Sequence, residues 1–205
     1  ASLDTVTVNE GATLTIDQAV SATNLSIAGA VAKASADAIT ANTVIADGAS
    51  MLVSSSYAHN GNLTVGGGTS GSLDVTSATV SVTGDFALDA GATFGTVINS
   101  ATQDDAGKVV ATGNVAVSAD STIDVTVASF SGIADGVTYK IIEGSTGTVA
   151  LPTVTDSSTK VEFVASTAGS DLTLTTQIAA ITDWFTDLTP NATAVVGVLD
   201  DVLPA

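Results

Sequence analysis

The sequence predicts an all-β fold, a parallel β-helix (solenoid) in which short strands stack in successive coils. Short stretches alternate apolar and polar residues at period two, and Gly, Asn and Asp interrupt them every few residues, as the corners of coils require. A phrase of the same kind returns several times along the chain. The apolar content is 45% of the residues but the aromatic content is only 4%, so small side chains must fill a narrow interior.

The first repeated phrase is a polar residue followed by alternating apolar residues. It begins at Asn24 (NLSI), Asn42 (NTVI), Asn62 (NLTV), Asp85 (DFAL) and Asn114 (NVAV). The intervals grow from about 20 to about 30 residues, as expected of solenoids whose strands are kept while their corner loops take insertions. A β-sandwich also alternates at period two, but it gives no reason for one phrase to return. We therefore predict a parallel β-helix over residues 1–130.

A second phrase marks the predicted corners. It reads NEGATLTI from Asn9, ADGASMLV from Ala46, DAGATFGT from Asp89 and SADSTIDV from Ser118. In GDFALDAGATF and GNVAVSADSTI the two phrases follow each other in the same order. We interpret this succession as one structural unit used in successive coils rather than as a site built twice.

The pattern of strands and turns changes in residues 131–177. The stretches GVTYKIIEG, VALPTV, KVEFVAS and DLTLTT indicate longer strands joined by Gly- and Ser-rich turns, at spacings typical of hairpins. We predict a small antiparallel β cap here, since the last coil of a solenoid otherwise exposes unpaired strand edges.

A helical period begins at residue 178. Its apolar stripe comprises Ile178, Ile181, Phe185, Leu188, Val195, Leu199 and Val202. Thr189 is suited to an N-cap and Pro190 to the first helical position. The pattern predicts a short terminal helix within residues 178–205, which either packs on the solenoid or forms a segment that once led to something else.

The charge of the chain argues against several partners. The net charge is −17, and the basic residues are Lys33, Lys108, Lys140 and Lys160, with no arginine. Recognition of phosphate and sulfate depends on Arg forks and Lys clusters, so we expect neither nucleic acid nor an anionic membrane surface as a partner. No apolar run reaches the roughly 20 residues of a membrane-spanning helix, and we predict no direct membrane insertion.

Cysteine is absent, and Thr, Ser, Gly and Asp are abundant. The absence of thiols excludes disulfides and thiolate metal sites. Together with the low basicity, this composition predicts a secreted or bacterial cell-surface protein. The start ASLDTV suits a mature end left by cleavage behind a small residue.

Catalytic chemistry has few candidates in this sequence. A Ser-His-Asp hydrolase would have to use His59, the only histidine, with a serine at 54–56 or a distant serine as nucleophile. We interpret His59 instead as a solvent-facing turn residue, and no G-x-S-x-G nucleophile elbow is present. The aspartates Asp47, Asp89 and Asp120 lie at predicted corners, where Asx turns explain them. We therefore predict that the protein is not an enzyme.

Paired carboxylates raise the question of metal binding. Asp104–Asp105 and Asp200–Asp201 offer the oxygen ligands that Ca²⁺ prefers, but no D-x-[DN]-x-[DN]-G loop and no Gly-Asp nonapeptide array occurs. We predict no metal site and no cofactor, with weak Ca²⁺ binding at these loop charges as the alternative.

The C-terminal part of the chain resembles a known family. LTPNATAVVGVLD, from Leu188 to Asp200, resembles the LTPNQ…AVAAALD segment that precedes the membrane barrel in many bacterial autotransporters, with Ala192 and Gly197 where Gln and Ala are usual. GVTYKIIEGSTGTV, followed by DLTLTT, is similar to the end of their passenger domains, where a Y-x-L-I strand opens the autochaperone region. The resemblance implies a right-handed β-helical passenger, an autochaperone-like cap over residues 131–177, and release from the translocator by cleavage or truncation.

These observations predict a non-enzymatic secreted or cell-surface β-helix with a structural or adhesive role, a stiff rod whose polar faces point outward. The alternative is a self-assembling subunit of an extracellular filament or surface layer, joined through the ends of its coils. A polysaccharide-active enzyme with two carboxylates in an outer groove is the third hypothesis. The first hypothesis implies a host or cell-surface ligand, and the second implies a homopolymer. Autotransporter passengers act as adhesins, spacers, toxins or hydrolases, so the resemblance does not choose among these functions.

Overall fold

The computed structural model describes residues 3–67, 70–100, 102, 106–129, 133–158 and 160–178. All regular secondary structure in these ranges is β-strand, which confirms the all-β class. The strands form two sheets, and both sheets are parallel over most of their width.

The chain passes from one sheet to the other and back as it advances. The first sheet contains β1 (Leu3–Val8), β3 (Val20–Ile27), β5 (Ile39–Ile45), β7 (Tyr57–Asn60), β8 (Leu63–Val65), β10 (Thr79–Val82), β11 (Phe86–Leu88), β13 (Lys108–Val117), β15 (Thr138–Val149), β17 (Val161–Ala168) and β18 (Asp171–Ile178). The second sheet contains β2 (Thr13–Ile16), β4 (Ala30–Lys33), β6 (Ser50–Val53), β9 (Ser72–Thr76), β12 (Thr93–Ile98), β14 (Thr122–Val127) and β16 (Thr153–Asp156). In the second sheet the spatial order of the strands is their order in the sequence.

The register of the first sheet places the repeated phrases side by side. Leu25 pairs with Thr43, which pairs with Leu63, and the same row continues through Phe86 to Val115. Each of these residues follows the polar residue that opens its phrase. The repeat in the sequence is therefore a repeat of position in the sheet.

The polar residue that opens the phrase bonds one copy to the next. The Oδ1 atom of Asn42 accepts the backbone N–H of Asn62 at 3.1 Å, and Oδ1 of Asn62 accepts the N–H of Asp85 at 2.9 Å. Oδ1 of Asp85 in turn accepts the N–H of Asn114 at 2.7 Å. Side-chain oxygens thus take over the pairing of backbone donors where the strands are interrupted. We call this row the amide ladder.

Glycine precedes the ladder residue where the ladder lies closest to the backbone. A Cβ atom at Gly84 would lie 2.3 Å from Oδ1 of Asn62, and one at Gly113 would lie 2.4 Å from the carbonyl oxygen of Gly84. Both distances are below any real Cβ contact, so no residue with a side chain fits here without a shift. The Gly-Asn and Gly-Asp pairs of the sequence are explained by this close approach.

Replacing Asn62 by alanine tests the ladder. The substitution removes the acceptor of the Asp85 N–H, and we expect it to lower the free energy of unfolding by about 1 kcal/mol. Chemical denaturation measures the change. Asn60→Ala is the matched control, because the amide of Asn60 bonds only the exposed hydroxyl of Thr40, at 3.2 Å. Equal stabilities of the two variants would contradict the role of the ladder.

The predicted corners are tight turns. In each of them a backbone N–H donates to the carbonyl three residues earlier, at 3.0–3.2 Å, in the pairs Ala12–Asn9, Ala49–Ala46, Ala92–Asp89 and Ser121–Ser118. Gly11, Gly48 and Gly91 occupy the third position of the first three turns with φ of 72°, 71° and 75°. The left-handed backbone there explains why the corner phrase carries glycine.

The interior lies between the two sheets and consists of rows of apolar side chains. Phe86 stands in the row from Leu63 to Val115 on the first sheet, and Phe94 stands between Leu73 and Ile123 on the second sheet. These residues are fully buried. Most other interior positions hold Ala, Val, Ile or Leu, as the composition predicted.

The antiparallel part is smaller than the sequence predicted. β15 and β16 lie within residues 131–177 but pair in parallel with β13 and β14. Only β18 and β17 run antiparallel, β18 along β15 and β17 along β18. Alternation at period two shows which face of a strand is buried but not the direction in which the strand runs. The sequence therefore could not distinguish the parallel strands β15 and β16 from the antiparallel pairings of β17 and β18.

Polar contacts fix the β17–β18 hairpin to β15. Nζ of Lys140 lies 3.0 Å from Oδ2 of Asp171, and Oδ1 of Asp171 accepts the backbone N–H of Gly144 at 3.1 Å. The hydrogen bond with Asp171 and its charge raise the pKa of Lys140, although burial opposes them slightly. Asp171, at the start of β18, therefore ties the hairpin to the last long parallel strand.

The predicted terminal helix lies almost wholly outside the described residues. Ile178, the first residue of its apolar stripe, is the last residue of β18 and belongs to a strand. The other residues of the stripe fall in 179–205, which the structure does not describe.

Candidate functional site

His59 is not the exposed turn residue that the sequence analysis predicted. It lies in β7 with no exposed surface, and it pairs with Ile39 on one side and Val82 on the other. Its side chain points between the sheets because β7 alternates inward and outward residues, with Tyr57 as the other inward one. Both of its neighbours in the sheet are apolar, so the position is a core position that happens to hold a polar ring.

A lysine shares this interior. Lys33, at the end of β4, has no exposed surface and occupies the row of inward residues between Ile16 and Val53. Its Nζ donates to the carbonyl oxygen of Ser35 and to Oγ of the same serine, the latter at 2.7 Å. The same Nζ lies 5.2 Å from the centre of the Tyr57 ring, within the range of a cation–π contact. We call Lys33, Tyr57 and His59 the interior polar cluster.

Several polar atoms in and next to the cluster have no hydrogen-bond partner. They are Nδ1 of His59, Oη of Tyr57 and Oγ1 of Thr43, and they are the only such buried side-chain atoms among the described residues. Nε2 of His59 lies 3.1 Å from the carbonyl oxygen of Asn62, so this nitrogen carries the proton and Nδ1 presents a bare lone pair. The rings of Tyr57 and His59 meet edge to face, with centroids 6.1 Å apart.

The cluster is electrostatically unusual. Burial lowers the pKa of His59, although the backbone at Asn62 and Ala41, which favours the charged ring, opposes this. Burial also lowers the pKa of Lys33, against the charges of Asp37 and Asp17, and it raises the pKa of Tyr57. In each case removal from water disfavours the charged form.

The serines near His59 are occupied elsewhere. Oγ of Ser55 donates to the carbonyl oxygen of Ala34 at 2.8 Å, and Oγ of Ser56 accepts the backbone N–H of Thr79 at 2.9 Å. The backbone N–H of Ser54 donates to the carbonyl oxygen of Lys33 at 3.0 Å. These serines therefore join segments that are neighbours in the fold, and the hydrogen bond found for the His59 ring goes to Asn62 and not to a serine.

Two carboxylates lie two strands apart on the outer face of the second sheet. Asp74 and Asp124 both pair with Gly95, one from each side, so their Cα atoms are two strands or about 10 Å apart. A Cβ atom at Gly95 would lie 2.2 Å from Oδ1 of Asp74, which shows that this carboxylate covers the glycine. Sequence reasoning missed this pair because only the register brings the two residues together.

The environment distinguishes the two acids. Burial raises the pKa of Asp74, the hydrogen bond from Oγ of Ser72 at 3.3 Å opposes the rise, and the charge of Asp124 adds to it. Asp124 is exposed, and it accepts a hydrogen bond from Oγ1 of Thr155 at 3.0 Å. Two carboxyl groups on one face are the arrangement used in glycoside cleavage, but here the pair stands on the outer surface of a sheet.

A shallow groove of about 400 Å³ lies at one corner of the later coils, between residues 88–90, 116–118 and 148. Its lining is mainly apolar, and Asp89 and Ser118 contribute polar groups. The groove combines an open shape with few convergent polar groups, unlike the enclosed clefts that bind small molecules.

The metal candidates of the sequence analysis remain untested. Asp104–Asp105 and Asp200–Asp201 lie outside the described residues. Within the described ranges no group of three or more His, Cys, Asp or Glu side chains is arranged to hold a metal ion. The same ranges contain no helix of the length and apolar character needed to cross a membrane.

Comparison with known proteins gives no relative: no family model, no curated protein and no solved structure matches this chain.

Proposed function

We propose that this chain is a right-handed parallel β-helix that serves as a non-enzymatic structural or adhesive rod at a bacterial surface, as the passenger of an autotransporter. The observation that carries the proposal is the unbroken parallel pairing along both sheets, from β1 to β15 and from β2 to β16, with the repeated phrases in register. A chain that alternates between two such sheets winds into coils, and stacked coils give a rod.

The outward positions suit presentation to a solvent or to a partner. On the second sheet one outward row pairs in register along all seven strands, through Thr13, Ala30, Ser50, Ser72, Thr93, Thr122 and Thr153. Neighbouring residues of this row stand about 4.8 Å apart. The side chains of this row are small, and all except Ala30 carry a hydroxyl. The net charge of −17 keeps such rods apart in solution.

The position of His59 supports a role without catalysis. A general base must reach the proton that it removes, whereas the ring of the only histidine is enclosed between the sheets. The nearby serines bond the backbone of neighbouring coils. These residues are used to build the rod.

Three measurements test the proposal. Small-angle X-ray scattering on the purified chain should give a rod at least about 40 Å long, because the first sheet is nine strands deep along its main path. Beads coated with the chain should be retained on immobilised fibronectin, collagen or neutral polysaccharide, and soluble chain should compete. A rod that is retained on none of these surfaces would favour a spacer, whereas release of sugar from the polysaccharide would contradict a non-enzymatic role. An antibody against the chain should label intact producing cells, and labelling only after lysis would contradict the surface location.

A second candidate, a subunit that polymerises end to end, is favoured by the edges of the first coil. β1 and β2 each pair with one strand among the described residues. Leu3 is 60% exposed and Leu14 is 36% exposed, although Leu14 stands in the row of inward residues that continues to Val31. An exposed apolar strand at the edge of a sheet is a template for another strand.

The geometry of the opposite end limits this second candidate. β17 runs in the same direction as β1, because two successive antiparallel pairings separate it from β15, so a second copy's β1 could pair with it in parallel. However, the first sheet has nine positions along its path and the second sheet has seven. The first sheet therefore extends two strands beyond the second at this end. A second copy whose β1 paired with β17 would have its β2 too far from β16 to pair with it. Electron microscopy with and without millimolar Ca²⁺ tests whether the chain polymerises. Ordered filaments would establish polymerisation, and isolated rods would exclude it.

A further inference from the structure

The strands that surround His59 contribute no acidic side chain that could offset an extra positive charge in the interior polar cluster. β5 and β10 flank β7 and contain no titratable residue, and neither do β6 and β8. The titratable groups of the cluster beside His59 are Tyr57, whose ring contacts it on β7, and Lys33 on β4, whose Nζ lies over the Tyr57 ring. Asp17 and Asp37 act on Lys33 rather than on the ring.

Protonation of His59 would add a second cation to this interior. Nε2 already holds its proton toward the carbonyl oxygen of Asn62, so the incoming proton must bind Nδ1. Nδ1 has no partner within hydrogen-bond distance, and the backbone at Ala41, which favours the charged ring, does not outweigh the cost of burial. A charged ring held away from water is strongly unfavourable, and the ammonium of Lys33, which lies over the neighbouring Tyr57 ring, has the same sign.

We propose that the interior polar cluster is an acid-sensitive joint, at which mild acid loosens the coils formed by β3 to β8 while the later coils stay paired. The ring is enclosed, Nδ1 has no partner within hydrogen-bond distance, and the charged group of the same cluster, Lys33, has the same sign as the protonated ring. The later coils have no equivalent, because the positions that pair with His59 and continue its row hold Val82 and Ala111.

The sign of the effect follows from proton binding. His59 has a lower pKa in the folded chain than in the unfolded chain, where it is near 6.5. The unfolded state therefore binds more protons below about pH 6.5, and stability is lost as the pH falls from there toward the folded pKa. In that window the unfolding equilibrium constant should rise by up to about tenfold per pH unit.

Denaturation of the purified chain between pH 5.0 and 7.5, at constant ionic strength, tests the proposal. His59→Gln keeps an N–H donor for the Asn62 carbonyl and cannot titrate, and His59→Leu fills the position with an apolar side chain. Because the sequence has one histidine, both variants should lose the pH dependence that the wild type shows in this window. Protonation of surface carboxylates acts on all three proteins alike, so the difference between wild type and variant isolates the ring. Parallel pH profiles for wild type and variants would overturn the proposal.

Hydrogen exchange locates the joint. At each pH, the protection of amides in β3 to β8 is divided by that of amides in β12 to β14, which cancels the intrinsic pH dependence of exchange. The ratio should fall severalfold from pH 7.5 to pH 5.0 in the wild type and stay constant in His59→Gln. Lys33→Met removes the cation over Tyr57 and should make the fall smaller, because the folded pKa of His59 then lies closer to that of the unfolded chain. A constant ratio in the wild type would show that acid does not act at this joint.

Discussion

Replacing Gly113 by alanine should lower the free energy of unfolding by about 2–4 kcal/mol. The added Cβ would lie 2.4 Å from the carbonyl oxygen of Gly84 and 2.6 Å from Oδ1 of Asp85. Neither atom can withdraw cheaply, because one belongs to the backbone and the other accepts the N–H of Asn114. The strand must move, and the amide ladder is broken at its shortest bond.

The control for this substitution is Gly136→Ala. Gly136 has a φ of 75° but no atom within 4 Å of an added Cβ. Its substitution therefore measures backbone strain alone, at about 1–2 kcal/mol. Urea denaturation of both variants separates close approach from strain, and a loss at Gly113 no greater than that at Gly136 would refute the steric account of the repeat.

The second large effect is expected from Phe86→Ala, at about 3–5 kcal/mol. Phe86 is fully buried between Leu63 and Val115, and its ring is among the largest side chains in the interior. Truncation leaves a cavity that stiff paired strands on both sides cannot close. Phe86→Leu, which keeps most of the volume, should lose less than half as much. Thermal denaturation compares the two, and equal losses would mean that the row of interior side chains tolerates a gap.

The strands and corners could be predicted because their chemistry is local. The Gly-Asn phrase encodes a close approach and a side-chain acceptor, and the glycine of the corner phrase encodes a left-handed turn. The same local signals could not show that β15 and β16 continue the parallel sheets, since strand direction depends on a partner distant in the sequence. The pair of Asp74 and Asp124 escaped notice for the same reason.

His59 was misinterpreted because its surroundings in the sequence are polar. The stretch SSSYAHNGN offers serine, asparagine and glycine, which are typical of turns. A signal was nonetheless present: Tyr57, Ala58 and His59 stand in register with Val80, Ser81 and Val82. Alignment of the repeat by position, rather than by residue type, would have placed the ring inside.

The amide ladder has a consequence for how such a protein changes in length. Each rung is closed by atoms of neighbouring repeats of the first sheet, and the antiparallel pairings among the described strands involve only β15, β18 and β17. A duplicated repeat could therefore be inserted between two existing ones and find the same acceptor on one side and the same donor on the other. Duplication within the gene would extend the protein's reach in steps of one strand spacing, about 4.8 Å, without redesign of either terminus.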